Sequence, residues 1–178
     1  KVAESPVGLR VIGLQEIEKA PGANRDISRV VQNYPGVAFS PIGYRNDLIV
    51  RGGGPSENRF YLDGVEIPNI NHFSTQGASG GPVGLIDADL IRNVKFYSGA
   101  FPANRGNALS SVLDFSLRDG DMEHNSLKAT LGASEVALTS NGHLGDKTSY
   151  LVSVRQSYLQ MLFKVLGLPL LPAYTDAS

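Results

Sequence analysis

The sequence predicts an α/β domain, a small mixed β-sheet with short helices, followed by antiparallel strands of a truncated transmembrane β-barrel. Three observations predict it. The helical stretches are brief and closed by Pro-Gly pairs at 21–22 and 35–36. An Asp63-Gly64 pair stands between two apolar runs, the strongest short-range signal for a tight hairpin. After Asp119-Gly120-Asp121 the helix signals vanish and two long alternating segments appear, which places a domain boundary at about 120 and gives domains 1–120 and 121–178.

Val7 to Gly13 is short and rich in branched residues and reads as a strand; Leu14 and Ile17 then share one face of a brief helix ending at Ala20. Asp26 can cap a second helix, Ile27 to Tyr34, in which Ile27, Val30, Val31 and Tyr34 fall on one side. Asp47 to Gly52 reads as a strand leading into a glycine cluster, and Arg59 to Ile67 as the two arms of the hairpin. Pro68 to Pro82 is a long polar loop with nothing to bury its backbone, and long loops in compact domains tend to carry function. Asp87 can cap a short turn through Leu90-Ile91 before a strand over Asn93–Tyr97. A second loop, Ala100 to Ala108, precedes the alternating strand Ser111–Leu117.

Beyond 120, Asn125 to Ser140 sets Leu127, Ala129, Leu131 and Ala133 on one face. Ser149 to Leu159 sets Tyr150, Val152 and Val154 opposite Leu151, Ser153, Arg155 and Ser157. Asn141-Gly142 and Gly145-Asp146 are expected to supply the turn between them. Each segment exceeds the roughly 5 residues of a soluble strand and approaches the roughly 10 of a transmembrane barrel strand. Two such strands cannot close a barrel and would leave open edges, so the expectation is a piece of something larger.

Composition narrows the function classes. With 178 residues, 42% hydrophobic and 19% charged, the chain is too apolar for general disorder and long enough for a core. A net charge of -1 without a Lys/Arg run argues against nucleic acid as a partner. The absence of cysteine excludes disulfides, thiolate zinc sites and cysteine nucleophiles. Lys1 to Pro6 lacks the features of a signal peptide, so the expectation is either a cytoplasmic protein or a missing native start. Tyr158 to Leu171, the longest apolar stretch, is interrupted by Gln160, Lys164, Gly167 and Pro169 and falls short of the roughly 20 residues of a spanning helix. Any membrane would be crossed by strands.

Four motifs, in order, carry a family resemblance. They are Ile27–Val37 with its Pro35-Gly36-Val37 step, Asp47–Gly52 ending in Arg51-Gly52, Phe60–Val65 around Asp63-Gly64, and Ile91–Gly99 followed by Arg105-Gly106 and Ser111-Val112-Leu113. Together they resemble the plug domain of TonB-dependent outer-membrane receptors, over about two-thirds of the chain. The resemblance implies an α/β plug inside the lumen of the chain's own C-terminal barrel of about twenty-two strands, in the outer membrane of a Gram-negative cell. It implies a TonB energy-transducing partner in the periplasm and, outside the cell, a small ligand such as a metal chelate, cobalamin or an oligosaccharide, or a surface lipoprotein. It implies that Arg51 meets carboxylates of the barrel wall. The family often carries arginine where Ser98 stands and tyrosine where Arg105 stands, so Arg105 is expected to supply the missing wall-facing charge. No energy-coupling box is visible before Val7, and one is expected upstream of Lys1.

The remaining motifs have ordinary readings. Gly52-Gly53-Gly54 with Ser56 lacks the Lys-Ser/Thr of a phosphate cradle. His72 and His124 have no second ligand at metal spacing and His143 sits in a turn-like segment, so no metal and no cofactor are expected. Asp87 and Asp89 read as cap and first-turn charge, and no Gly-x-Ser-x-Gly elbow supports a triad, so catalytic residues and an enzyme are not expected. Asn69, Asn71, His72 and Phe73 are candidate ligand contacts, because an aromatic beside amides suits sugars or chelates; Phe101 and Asn104 mark a second candidate loop. The reading from another class is a soluble periplasmic or surface β-rich module that binds glycans, distinguished by an early stop where the receptor would continue.

Overall fold

The computed structural model describes residues 7–23, 25–38, 46–74, 80–81, 83–132, 135–158, 164 and 173–178. The chain divides into two compact units, Lys1–Leu117 and Arg118–Ser178. In the first, β1 (Leu9–Gly13) runs into α1 (Leu14–Lys19), and α2 (Ile27–Val31) follows. Asp26 caps α2 by accepting from the Ser28 amide at 2.9 Å, which satisfies one of the amides a helix start leaves unpaired. The α-helix ends at Val31, three residues before the expected Tyr34, because its last turn tightens into bonds from Asn33 N to Val30 O and Tyr34 N to Val31 O ahead of Pro35-Gly36.

Four further strands join β1 in the main sheet. These are β4 (Asn58–Leu62), β5 (Val65–Ile67), β8 (Ile91–Tyr97) and β9 (Ser111–Leu117), and the order is β1-β8-β9-β4-β5. Only β4 and β9 are parallel, with Phe60 opposite Leu113; the other neighbours are antiparallel. Asp63 and Gly64 both hold positive φ, 47° and 85°, the twist a two-residue hairpin requires. Asp63 also fastens the turn to β9, donating its amide to Phe115 O and accepting from the Leu117 amide.

Alternation along the strands makes two faces. Leu113 and Phe115 join Ile12, Ile17, Val31, Phe60, Val94 and Phe96 in the core beneath the helices, while Val112 packs with Tyr61 and Tyr97 on the reverse side. Burying each large apolar side chain contributes about 1.5–3 kcal/mol, so the helix face dominates stability. The expected strand over Asp47–Gly52 is reduced to β3 (Ile49–Val50), paired with β2 (Val37–Ala38). Asn46, Asp47 and Leu48 are buried, and their polar groups serve other segments. The 68–82 stretch is also less open than its composition suggests. Ile70 and Asn71 are buried, and β6 (Asn71–His72) pairs with β7 (Val83–Gly84); Thr75–Ser79 and Pro82 lie outside the described residues.

The second unit corrects the strand count. The expected single strand over Asn125–Ser140 is two, β10 (Ser126–Leu131) and β11 (Glu135–His143), and β12 (Ser149–Ser157) and β13 (Thr175–Ala177) continue the antiparallel sheet. The Gly132 amide donates to Glu135 O and closes the turn there, and the apolar positions shift from odd (Leu127, Leu131) to even (Val136, Leu138) across it. Asn141 and Gly142 are paired strand residues, opposite Leu151 and Tyr150, and the turn falls after them around Gly145. Ala133 and Leu159 lie outside the described residues.

The faces of this sheet are reversed relative to a water-soluble one. Leu127, Leu131, Val136, Leu138, Val152 and Val154 share one face and are exposed, Val152 at 46% and Val154 at 45%. Thr139, Ser153, Arg155 and Ser157 occupy the other and are buried. Apolar-out and polar-in strands resemble the start of a membrane barrel.

Candidate functional site

Three places in the first unit gather the residues singled out by sequence. At the first, Arg51 and Gly52 form a turn with φ of 53° and 80°, and the Arg51 amide donates to Gly36 O at 2.7 Å. The turn throws the guanidinium outward. It is exposed, lies along Gly99, and reaches Ser98 Oγ at 3.4 Å. Among the described residues Arg51 makes no ion pair, so a fixed-charge fork capable of bidentate contact with a carboxylate is presented to the outside. The fold thus brings Ser98 beside Arg51 across 47 residues of sequence. Behind them a cleft is lined by Gly53, Glu57, Ser98, Phe101 and Ser110. A Cβ at Gly53 would stand 2.7 Å from the Glu57 carboxylate, which opposes phosphate at this glycine cluster.

At the second place, Arg105 is engaged within its own unit. It donates to Asp114 Oδ2 through Nη2 at 2.9 Å and Nε at 3.3 Å, and its guanidinium sits 4.5 Å over the Tyr61 ring. Phe101 packs against the Tyr61, Tyr97 and Val112 cluster beneath it, and burial together with the nearby Asp114 pushes the Tyr97 hydroxyl above its ordinary range. Asn104 is exposed at the bend of this loop. Neither Asp114 nor Tyr61 stands near Arg105 in any sequence pattern; only the pairing of β4 with β9 brings them under it.

The third place is the Asn69–Phe73 segment. His72 is half-buried and Phe73 exposed at 44%, their rings 6.0 Å apart. Phe73 adopts φ of 58°, a left-handed conformation costly for a bulky side chain, which persists only where surroundings enforce it. Asn69 is half-buried, and Asn71 points inward, donating to Asp26 Oδ2 at 2.7 Å. Asp26 also accepts from Asn46 Nδ2 at 3.0 Å and from Ser28. Burial pushes its carboxyl up, against the opposing pull of these donors and of Arg29. Close by in sequence, Asp87 and Asp89 are buried and pair with Arg25, Asp89 at 2.6 Å. The helix-cap pattern found Asp26 as a cap; nothing in the sequence signalled its bonds to residues 20 and 45 positions away.

A small α/β unit presenting an outward arginine and polar loops is followed by antiparallel strands with an apolar outer face that resemble the start of a barrel. The chain belongs to the TonB-dependent receptor plug domain family, whose model matches residues 1–112. Solved structures share the fold. A mutant of the ferric enterobactin receptor PfeA from Pseudomonas aeruginosa superimposes with a TM-score of 0.61 at 20% identity over 84% of this chain and 24% of its own. The siderophore receptor PirA from the same organism gives 0.59 at 16% identity over 86% and 28%. The outer membrane transporter YddB from Escherichia coli gives 0.61 at 17% identity over 84% and 26%. The chain therefore spans about a quarter of the length of these proteins. No curated protein sequence matches it.

Proposed function

We infer that this chain is the lumenal gate, with the first barrel strands, of an outer-membrane receptor that takes up a ligand using energy delivered by TonB from the periplasm. The observation that carries the reading is the succession, in one chain, of a plug-family unit and a sheet whose apolar residues face outward. That sheet opposes the soluble glycan-binding alternative, because Leu127, Leu131, Val152 and Val154 would lie against water. Residues 1–117 act as the gate and residues 118–178 begin the barrel.

Gating is mechanical on this reading. Arg51 holds wall carboxylates through hydrogen-bonded ion pairs that water can replace at modest cost, so a pull on the N-terminal segment releases them without breaking an apolar core. The Asn69–Phe73 and Phe101–Asn104 loops face the ligand, with His72, Phe73 and Asn104 accessible and Asn71 and Phe101 supporting them. Arg105 steadies the second loop through Asp114 and leaves Arg51 as the wall contact. The named relatives make a ferric siderophore the ligand class to test first, ahead of cobalamin and oligosaccharides.

The test is to raise antiserum against this chain and blot fractions of the source cells. A band several times heavier than 19.0 kDa in the outer membrane supports the receptor; a band near 19.0 kDa in a soluble fraction overturns it.

A further inference from the structure

The geometry points to Asp26 as a positioning residue: through it, α2 holds the Asn69–Phe73 segment in the conformation that presents His72 and Phe73. This rests on the reading that the segment faces the ligand.

The Asp26 carboxylate divides its two oxygens between two tasks. Oδ1 accepts from the amide and hydroxyl of Ser28, at 2.9 and 2.5 Å, and so caps α2. Oδ2 accepts from Asn46 at 3.0 Å and Asn71 at 2.7 Å, and so ties two distant loop segments to the same helix. The carboxylate is buried, 6% exposed, where water does not compete for these bonds. α2 reinforces the same ties further along. Arg29 Nε donates to Asn46 Oδ1 at 3.2 Å, and Gln32 Nε2 donates to Asp47 O at 3.2 Å.

The held segments interlock through glycine contacts, and at Gly80 and Gly81 these leave no room for a side chain. The Gly80 amide donates to Asp47 Oδ1 at 3.1 Å, and a Cβ at Gly80 would overlap the Asn46 carbonyl. A Cβ at Gly81 would overlap the His72 carbonyl, and a Cβ at Gly84 would stand 3.5 Å from the Asp26 carboxyl carbon. The backbone carrying Phe73 is thus clasped between Gly81 and the Asn71 anchor. Phe73 itself sits at φ 58°, a conformation its own side chain resists, so an external restraint is needed; Asn71, two residues before it, supplies a buried one. The expected cap and the exposed aromatic are in this way parts of one device, linked across 45 residues by the Asn71–Asp26 hydrogen bond.

Hydrogen exchange measured by mass spectrometry on the natural full-length protein tests this, with Asn71→Ala, Asp26→Ala and the double variant. Asn71→Ala removes only the loop end of the tie. Losing a hydrogen bond to a buried carboxylate should speed exchange in peptides covering 70–74 and 83–86 by roughly ten- to a hundredfold, with 91–97 and 111–117 unchanged. Asp26→Ala should add peptides covering 46–50, and the double variant should exchange at 70–74 no faster than Asp26→Ala alone, because both remove the same bond. Unchanged exchange at 70–74 in Asn71→Ala, or acceleration spread evenly over the sheet, overturns the inference; if Asp26→Ala does not fold, Asn71→Ala decides it. Uptake of iron-loaded enterobactin by Phe73→Ala is read separately. Normal uptake with loosened exchange in Asn71→Ala would remove the ligand-facing reading and leave the positioning role standing.

Discussion

Replacing Arg105 by alanine should destabilise the first unit by about 2–3 kcal/mol, the usual range for a charge-assisted hydrogen bond with a buried partner left unmet. The structure sets the magnitude. Both side chains are largely shielded, Arg105 at 15% and Asp114 at 13%, so the pair is worth more than the fraction of a kcal/mol typical of exposed ion pairs. Two guanidinium nitrogens reach one carboxylate oxygen at 2.9 and 3.3 Å, and the contact 4.5 Å over Tyr61 adds about 0.5–1 kcal/mol. Desolvation of the two ions offsets part of this, which keeps the sum near the middle of the range. The assay is equilibrium urea unfolding of the refolded chain followed by tyrosine fluorescence, which the absence of tryptophan leaves unobscured. Arg105→Ala, Asp114→Asn and the double variant complete a cycle, with an expected coupling of about 1–2 kcal/mol. A coupling within about 0.3 kcal/mol of zero would refute the argument that Arg105 is engaged inside the unit, and would return it to the role of a free wall contact.

Three further predictions rest on the same structure. Arg51→Ala should change unfolding free energy by less than about 0.5 kcal/mol, since its side chain makes one long bond to Ser98, yet should impair energised uptake by the full-length protein; a large stability loss would show Arg51 to be a structural residue instead. Asp26 titrates with a raised folded pKa, so the native state holds its proton in the interval above the ordinary 3.8. Its contribution is therefore fully present below that value and lost as pH rises through the folded pKa, and thermal scans of wild type should fall relative to Asp26→Asn over this interval. A flat difference would contradict the dominance of burial over the Ser28, Asn46 and Asn71 bonds. On the reading that residues 118–178 begin a barrel, Val154→Lys should lower its stability in lipid by about 2–4 kcal/mol at a mid-membrane position, while Thr130→Lys on the half-buried opposite face should cost less. Equal costs would show that the two faces meet the same surroundings.

The division between sequence and fold runs residue by residue. Local chemistry was legible: Asp26 and Asp87 as caps, Asp63-Gly64 as a hairpin turn, and the alternation along Ser111–Leu117 all follow from geometry within a few residues. The alternation of Val152 and Val154 with Ser153 and Arg155 likewise identified two unlike faces. The strand break at Gly132 is not legible in the sequence, because Leu131-Gly132 continues a plausible strand and only the pairing of Leu131 with Val136 reveals the turn. Within the candidate site, the sequence by itself determined that Arg51 follows a strand and that His72 and Phe73 lie in a polar loop. The tertiary structure alone decided that Arg51 stands outward beside Ser98, that Arg105 turns inward to Asp114, and that Asp26 fastens Asn71. The physical reason is range: caps and tight turns are settled by bonds spanning two to four residues, whereas a charge chooses its partner only after sheet pairing has excluded water and brought distant groups within about 3 Å.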